Sequence, residues 1–142
     1  DTYLKGIDSI TQEEKDIRLR GVGDKFIVTY KERSHQDKVE VNIEKEFSVD
    51  DSKSFLYVME NLGYVPYIRK NKKGYWFKSG EINIELSHVE NLGDFIEIEY
   101  IADSDTDIDD VKVKIFAILD NIGIDRSKIE DRFYVEMLLN KK

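Results

Sequence analysis

The segment from Asn91 to Tyr100 holds two carboxylates whose spacing could serve chemistry. From residue 96 to residue 100, apolar and acidic residues alternate, and successive side chains of a β-strand point to opposite faces. Glu97 and Glu99 should therefore lie side by side on one face of a strand. Adjacent carboxylates are unfavourable unless water or a cation meets them. Because hard divalent metals prefer oxygen ligands, we predict a metal-binding wall here.

Charged and apolar residues also alternate in three earlier segments. Arg18 and Arg20 share a face of one predicted strand, and Lys31 lies on the polar face of the next. Glu40 and Glu44 share the polar face of the third. This pattern fits an open antiparallel sheet with one solvated face, and it also fits a closed barrel with a charged lumen. Such a lumen could hold a polyphosphate with Mg²⁺ or Mn²⁺, because cations meet phosphate oxygens and carboxylates meet the metal.

The elements that would position these side chains follow from the same periodicity. Alternation predicts seven strands, over Asp16–Arg20, Lys25–Arg33, Lys38–Phe47, Tyr64–Lys70, Tyr75–Lys78, Glu81–Leu86 and Phe95–Ile101. Apolar residues at helical spacing predict helices over Ser48–Leu62, Asp107–Ile122 and Phe133–Leu139. Tight turns between the strands favour an antiparallel sheet or barrel with the helices packed outside, which is an α+β fold.

Composition narrows the class of protein. At 142 residues the chain is expected to form one domain, residues 1–142, with a substantial core. Its net charge of −8 argues against a general binder of nucleic acids or of membrane surfaces. The absence of cysteine excludes disulfides and thiolate chemistry and fits a cytoplasmic location. No apolar run is long enough to span a bilayer.

Four further residues have competing interpretations. The basic run from Lys70 to Lys73 could be a solvated turn, or alternation could put Lys70 and Lys72 together on one inward face. Trp76 is expected to pack against the sheet or a helix, with base stacking as the alternative. Tyr134 is expected to pack under the last helix rather than to act in catalysis.

Seven short segments match, in order, the motifs of a known family. They are Asp1–Leu4, Ile17–Arg20, Val28–Lys31, Leu62–Tyr64, Ile68–Lys72, Asn91–Glu99 and Phe133–Leu139. The segment Asn91–Glu99 is close to a Gly-Leu-Gly-Asp-Phe-Val-Glu-Ile-Glu signature, and Val28–Lys31 is close to Leu-Thr-Tyr-Lys. On these motifs the chain resembles the CYTH family, the triphosphate tunnel metalloenzymes, which includes class IV adenylyl cyclases and thiamine or inorganic triphosphatases.

The resemblance implies a tunnel of about eight antiparallel strands with a charged lumen and with helices packed outside. It implies phosphate binding by five cations, Arg18, Arg20, Lys31, Lys70 and Lys72. It implies that Glu97 and Glu99 hold Mg²⁺ or Mn²⁺, with lower-ranked acids at Glu40, Glu44 and Glu85. Catalysis would rest on Lys31, Arg20 and Glu97, through positioning and charge stabilisation.

Three departures from the family pattern bear on activity. The family's opening Glu-x-Glu-x-Lys strand would precede Asp1 and is not in this chain, so we expect a single domain that lacks its first strand. Ser87 stands where an aspartate is usual, and Glu85, two residues earlier on the same face, could take its place. Lys72 stands where arginine is usual, which keeps the charge but loses the bidentate fork.

The resemblance leaves three functions open. The motifs are closest to the class IV adenylyl cyclase-like branch, which would convert ATP to cyclic AMP and pyrophosphate. Hydrolysis of tripolyphosphate or thiamine triphosphate is the alternative. The departures motivate a third function, a non-catalytic module that binds polyphosphate or nucleotide. Each of these functions predicts a small-molecule triphosphate as the partner and no binding to nucleic acids or membranes. A homodimer is possible on each of them.

Overall fold

The computed structural model of the protein describes residues 1–7 and 14–141. In chain order the elements are β1 (Thr2–Ile7), β2 (Glu14–Val22), β3 (Lys25–Gln36), β4 (Val39–Val49), α1 (Ser52–Asn61), β5 (Val65–Arg69), β6 (Lys72–Ser79), β7 (Ile82–Val89), β8 (Gly93–Tyr100), α2 (Ile108–Asn121), a short 3-10 helix (Arg126–Lys128) and α3 (Tyr134–Leu139). They divide into two compact units. The first is Asp1–Gln36 with Glu40–Asn71, and the second is Asp37–Val39 with Lys72–Lys142.

The described strands pair antiparallel in two separate sheets. The first sheet has the order β4-β3-β2-β1-β5, and the second has the order β6-β7-β8. The predicted α+β class with antiparallel strands is confirmed, but the single closed barrel is wrong for the strands that the structure describes. A closed barrel has no edge strands, whereas β4, β5, β6 and β8 each have one hydrogen-bonded neighbour among the described strands.

The core of the first unit lies between the apolar face of the first sheet and α1. Leu4, Leu19 and Val28 are almost fully buried and pack with Met59 of α1. Full burial of such a side chain contributes about 1.5–3 kcal/mol. This apolar contact therefore holds the helix on one side of the sheet and leaves the other face to the charged residues.

Helix α1 begins later than the predicted Ser48 because β4 continues to Val49. The carboxylate of Asp51 accepts a hydrogen bond from the backbone N–H of Lys53 at 2.9 Å, which satisfies a donor that the helix start leaves free. The helix ends before Gly63, whose φ of +90° lies in the left-handed region that glycine adopts at little cost.

In the second unit, β7 is the central strand of the sheet and α2 packs against β8. The carboxylate of Asp107 accepts a hydrogen bond from the backbone N–H of Asp109 at 2.9 Å, and the helix begins there as predicted. Lys114 of α2 lies with Nζ 5.1 Å from the centre of the Tyr100 ring on β8. Helix α3 buries three apolar side chains, Val135, Met137 and Leu138. No helix within residues 1–7 and 14–141 is both long and apolar enough to cross a membrane.

Strand β1 has no counterpart among the strands predicted from alternation. It lies between β2 and β5 in the first sheet. Tyr3 and Leu4 point to opposite faces and both are buried. A strand that is covered on both faces shows no polar–apolar alternation, so periodicity carries no signal for it.

Candidate functional site

Four of the predicted phosphate-binding cations lie on one face of the first sheet: Arg18, Arg20, Lys31 and Lys70. Arg18 of β2 pairs directly with Thr29 of β3, and direct antiparallel partners project to the same face. Arg20 and Lys31 follow two residues along from these partners and share their face. Leu19 and Val28, at the intervening positions, point to the core on the other side. We call the surface that carries the four cations the cationic face.

Asp1 joins two of these cations. Its carboxylate accepts two hydrogen bonds from Arg20, from Nε to Oδ1 at 2.7 Å and from Nη2 to Oδ2 at 3.0 Å. Lys70 Nζ lies 3.5 Å from the same Oδ2. The side chains of Asp1 and Lys70 are both buried, where charged pairs attract more strongly than they do in water. Asp1 therefore fixes the positions of Arg20 and Lys70.

Arg18 is held by a hydroxyl and a carboxylate. Its Nη2 donates to Thr29 Oγ1 at 2.8 Å and lies 3.4 Å from Glu46 Oε1. The Thr29 hydroxyl in turn donates to Glu46 at 2.8 Å. Burial and then the charge of Arg20 lower the pKa of Arg18. The buried Nε of Arg18 finds no acceptor among the described residues, so this guanidinium keeps a donor for an anion.

Lys31 also has a carboxylate partner. Its Nζ lies 2.6 Å from Glu44 Oε1. Glu40, on the same face of β4, instead accepts a hydrogen bond from Asn42 Nδ2 at 2.7 Å and is exposed. Of the two lower-ranked acids of this strand, Glu44 therefore lies beside a predicted phosphate-binding residue and Glu40 does not. Each of the four cations has a carboxylate partner, so an anion that binds here also meets these acids.

The second sheet carries a carboxylate pair bridged by a lysine. Glu85 of β7 and Glu97 of β8 are directly opposite each other. Lys72 Nζ lies 2.8 Å from Glu85 Oε1 and 3.0 Å from Glu97 Oε2. The side chains of Lys72 and Glu85 are 13% and 12% exposed, and that of Glu97 is 37% exposed. We call Glu85 and Glu97 the carboxylate pair, and Lys72 neutralises one of its two charges.

Tyr134, the first residue of α3, joins this group through its hydroxyl. The hydroxyl makes a hydrogen bond to Glu97, and burial followed by this bond raises the pKa of Tyr134. Burial alone would raise the pKa of Glu97, but the charge of Lys72 and the hydrogen bonds from Tyr134 and Lys72 outweigh it and hold that pKa below its usual value. The Tyr134 ring also meets the Phe95 ring edge-on at 5.0 Å. Tyr134 packs as predicted, and it also contacts a predicted metal ligand.

Ser87 lies next along β7 on the same face as the carboxylate pair. It is buried, its direct partners are Gly74 and Phe95, and its side chain interacts with the Tyr134 hydroxyl. A Cβ at Gly74 would come within 2.1 Å of the backbone oxygen of Leu86. The close approach of the two backbones thus requires glycine opposite Ser87.

Glu99 shares the face of Glu97, as the alternation predicts, but its surroundings differ. It is exposed, its direct partner is Asn83, and it accepts a hydrogen bond from Asn83 Nδ2 at 3.0 Å. The acid closest in register to Glu97 on the neighbouring strand is Glu85. Glu85, ranked low from the sequence, is therefore better placed than Glu99 to share a cation with Glu97.

The carboxylate pair fits a hard divalent cation. No group of three or more acidic or histidine side chains arranged for a metal occurs within the described part of the chain. Mg²⁺, however, is commonly held by one or two carboxylates together with substrate phosphates and waters. The pair already holds one cation, the Lys72 ammonium. Oε1 of Glu85 is buried and lies 2.8 Å from Lys72 without hydrogen-bond geometry, so its coordination is incomplete.

Two sequence predictions are wrong. Trp76, which was expected to pack against the sheet or a helix, is 66% exposed. Lys70 and Lys72 do not share a strand, because β5 ends at Arg69, β6 begins at Lys72, and the two strands belong to different sheets. Sequence reasoning also missed Asp1 and Glu46 as partners of the arginines. Because Glu46 lies on the polar face of its predicted strand, the sequence could have identified it as a partner of an arginine. No sequence pattern identifies Asp1 in that role.

Comparison with known proteins finds similar chains. The model of the CYTH domain family matches residues 1–134. A protein of Methanocaldococcus jannaschii named "Putative adenylate cyclase MJ0240" is 29% identical over 96% of this chain and 79% of its own length. The PH1819 protein of Pyrococcus horikoshii superimposes with a TM-score of 0.82 at 26% identity, over 99% of this chain and 83% of that one. A conserved hypothetical protein of Pyrococcus furiosus gives 0.78 at 28% identity, over 95% and 79%.

Proposed function

The chain belongs to the CYTH domain family, and on that premise we propose that it binds a small-molecule triphosphate with a divalent metal and processes it. The cationic face is the observation that carries this proposal. Its four cations, Arg18, Arg20, Lys31 and Lys70, lie on one side of one sheet. Phosphate oxygens are the acceptors that guanidinium and ammonium groups in such an array bind best.

The cations would act by binding and by orienting the phosphates. Arg20 is held in place by Asp1 and Arg18 by Thr29 and Glu46. Side chains that are already fixed lose little freedom when a ligand binds. They would also stabilise the charge that spreads over phosphate oxygens during transfer, which is the main demand of phosphoryl chemistry.

The carboxylate pair would hold the metal. Glu85 and Glu97 supply the oxygen donors, and Tyr134 orients Glu97 by its hydrogen bond. When bound there, Mg²⁺ or Mn²⁺ would supply positive charge and act as a Lewis acid. Lys72, released from the pair, would become free to bind a phosphate oxygen.

The finer proposal is adenylyl cyclase activity. In that reaction the ribose 3′-hydroxyl of ATP gives up its proton to water and its oxygen bonds to the α-phosphorus. The bond from the α-phosphorus to the oxygen that bridges the α- and β-phosphates breaks, and pyrophosphate leaves. The name of the Methanocaldococcus jannaschii relative supports this choice. Hydrolysis of tripolyphosphate or thiamine triphosphate is the second candidate, because the same phosphate and metal ligands would serve when water attacks.

A turnover assay tests the proposal. The full chain is incubated with Mg²⁺ or Mn²⁺ and with ATP, tripolyphosphate or thiamine triphosphate, and the products are separated by ion-exchange chromatography. Cyclic AMP with an equal amount of pyrophosphate supports the cyclase, and orthophosphate supports the hydrolase. If every triphosphate binds but none is turned over, the protein is a binding module. If none binds with or without metal, the proposal is wrong.

A pair of variants tests whether the cationic face binds the triphosphate. Lys31→Met should weaken triphosphate binding about 10- to 100-fold, the loss expected for one charge-assisted hydrogen bond. Lys45→Met is the matched control, because Lys45 is exposed and lies on the opposite face of β4 from Glu44. Equal affinities for the two variants, measured by isothermal titration calorimetry, would contradict the assignment of Lys31.

A further inference from the structure

The aromatic side chain of Trp76 lies beside the carboxylate pair. In the second sheet Trp76 is directly opposite Glu85, which is directly opposite Glu97. Direct partners in an antiparallel sheet project to the same face. Trp76 is therefore on the face that carries the carboxylate pair, one strand spacing of about 5 Å from Glu85 and about two from Glu97.

The indole of Trp76 is open to a ligand. It is 66% exposed. The residues two positions away on β6 are Gly74 and Lys78, neither of which offers an apolar surface for it to pack on. Tyr75 and Phe77 are also exposed, but alternation turns them to the opposite face of the strand.

We propose that Trp76 stacks on the base of a nucleoside triphosphate whose phosphates bind beside Glu85, Glu97 and Lys72. The inference rests on the proposed function, since it takes the triphosphate and its metal to bind at that pair. The ribose and phosphate chain of a nucleotide reaches across the two strand spacings, about 10 Å, that separate Glu97 from Trp76. An exposed π-face at this position binds any nucleobase and gives nothing to a ligand without one.

This makes Trp76 a specificity-determining residue. Stacking of one base on an aromatic side chain is worth about 5- to 150-fold in affinity. The protein should then prefer ATP to tripolyphosphate by a factor in that range, although both carry the same phosphate groups. The substrate class would be nucleoside triphosphates rather than inorganic polyphosphates.

Fluorescence can test this directly, because Trp76 is the sole tryptophan of the chain. The full chain with Mg²⁺ is titrated with α,β-methylene-ATP and, separately, with tripolyphosphate, and calorimetry measures both affinities. We expect the nucleotide to quench the emission saturably and tripolyphosphate to bind without comparable quenching. Trp76→Leu should weaken nucleotide binding about 10-fold and leave tripolyphosphate binding unchanged, and Trp76→Phe should restore most of the loss.

Tyr75→Leu is the control, since it removes an exposed aromatic side chain from the opposite face of the same strand, and it should leave both affinities unchanged. If tripolyphosphate binds but Trp76→Leu binds both ligands as the unmodified protein does, the stacking role is wrong and the proposed function stands. If neither ligand binds the unmodified protein, the stacking role and the proposed function are both wrong. Circular dichroism confirms that each variant is folded. If Trp76→Leu does not fold, the fluorescence of the unmodified protein decides, because equal quenching by tripolyphosphate and by the nucleotide would contradict the stacking role.

Discussion

Replacing Lys72 by methionine tests whether this lysine neutralises the carboxylate pair. The change keeps most of the aliphatic length and removes the charge that contacts Glu85 at 2.8 Å and Glu97 at 3.0 Å. The two acids, opposite each other on neighbouring strands, are then left to repel. The variant should therefore be less stable than the unmodified protein at neutral pH.

The magnitude follows from the burial of the three side chains. Removing one partner of a fully buried ion pair costs about 3–5 kcal/mol, while exposed pairs contribute at most about 1 kcal/mol. Lys72 and Glu85 are mostly buried, but Glu97 is 37% exposed and so is partly screened by solvent. We expect Lys72→Met to lower the free energy of unfolding at pH 7 by about 2–3 kcal/mol.

The loss should depend on pH. The folded protein holds the pKa of Glu97 below its usual value, so this carboxylate contributes stability above its unfolded pKa of about 4.3 and loses that contribution as pH falls through the lowered pKa. In Lys72→Met the opposing charge is gone, and protonation of the pair relieves the repulsion. The difference in unfolding free energy should thus be largest near pH 7 and shrink below about pH 4.5.

Urea unfolding followed by circular dichroism at pH 7 and pH 4 measures both effects. Lys73→Met is the matched control, because Lys73 is the next residue on β6, is exposed and points to the other face. It should change stability by no more than about 0.5 kcal/mol. A Lys72→Met variant as stable as Lys73→Met at pH 7, or equally destabilised at both pH values, would refute the reasoning.

Two further changes test the framework around the sites. Gly74→Ala would place a Cβ 2.1 Å from the backbone oxygen of Leu86. This contact would force β6 and β7 apart and should lower the free energy of unfolding, measured with urea, by at least about 1–3 kcal/mol. An unchanged urea midpoint would contradict the close approach of the two backbones. Asp51→Ala removes the carboxylate that accepts the Lys53 N–H and should lower the urea midpoint, whereas Asp51→Asn, which can still cap the helix, should lower it much less.

Much of the cationic face could be predicted from the sequence. Strict alternation identified which side chains within a strand share a face, and the structure agrees for Arg18 with Arg20 on β2 and for Glu97 with Glu99 on β8. The reason is physical: a strand that is buried on one face and solvated on the other must alternate. The start of a helix could also be predicted where the sequence supplies a capping residue, as at Asp107.

Other features depend on packing that no local pattern encodes. Strand β1 is covered on both faces, so its sequence does not alternate. The break between β5 and β6 separates Lys70 from Lys72, although the basic run around them is continuous in sequence. The contacts of Asp1 with Arg20 and of Tyr134 with Glu97 join residues far apart in the chain. Only the tertiary structure brings such pairs together.

The ion pairs of the cationic face bear on which form of a triphosphate it would accept. Each cation lies within ion-pair distance of an acid, as with Lys31 and Glu44 or Arg20 and Asp1. A free triphosphate would gain these cations but would also meet the acids, and like charges in a partly buried site repel strongly. A triphosphate already carrying a divalent cation offers negative oxygens to the cations and positive charge to the acids. If this face binds a triphosphate, as we propose, the alternating charges would favour the metal complex over the free anion.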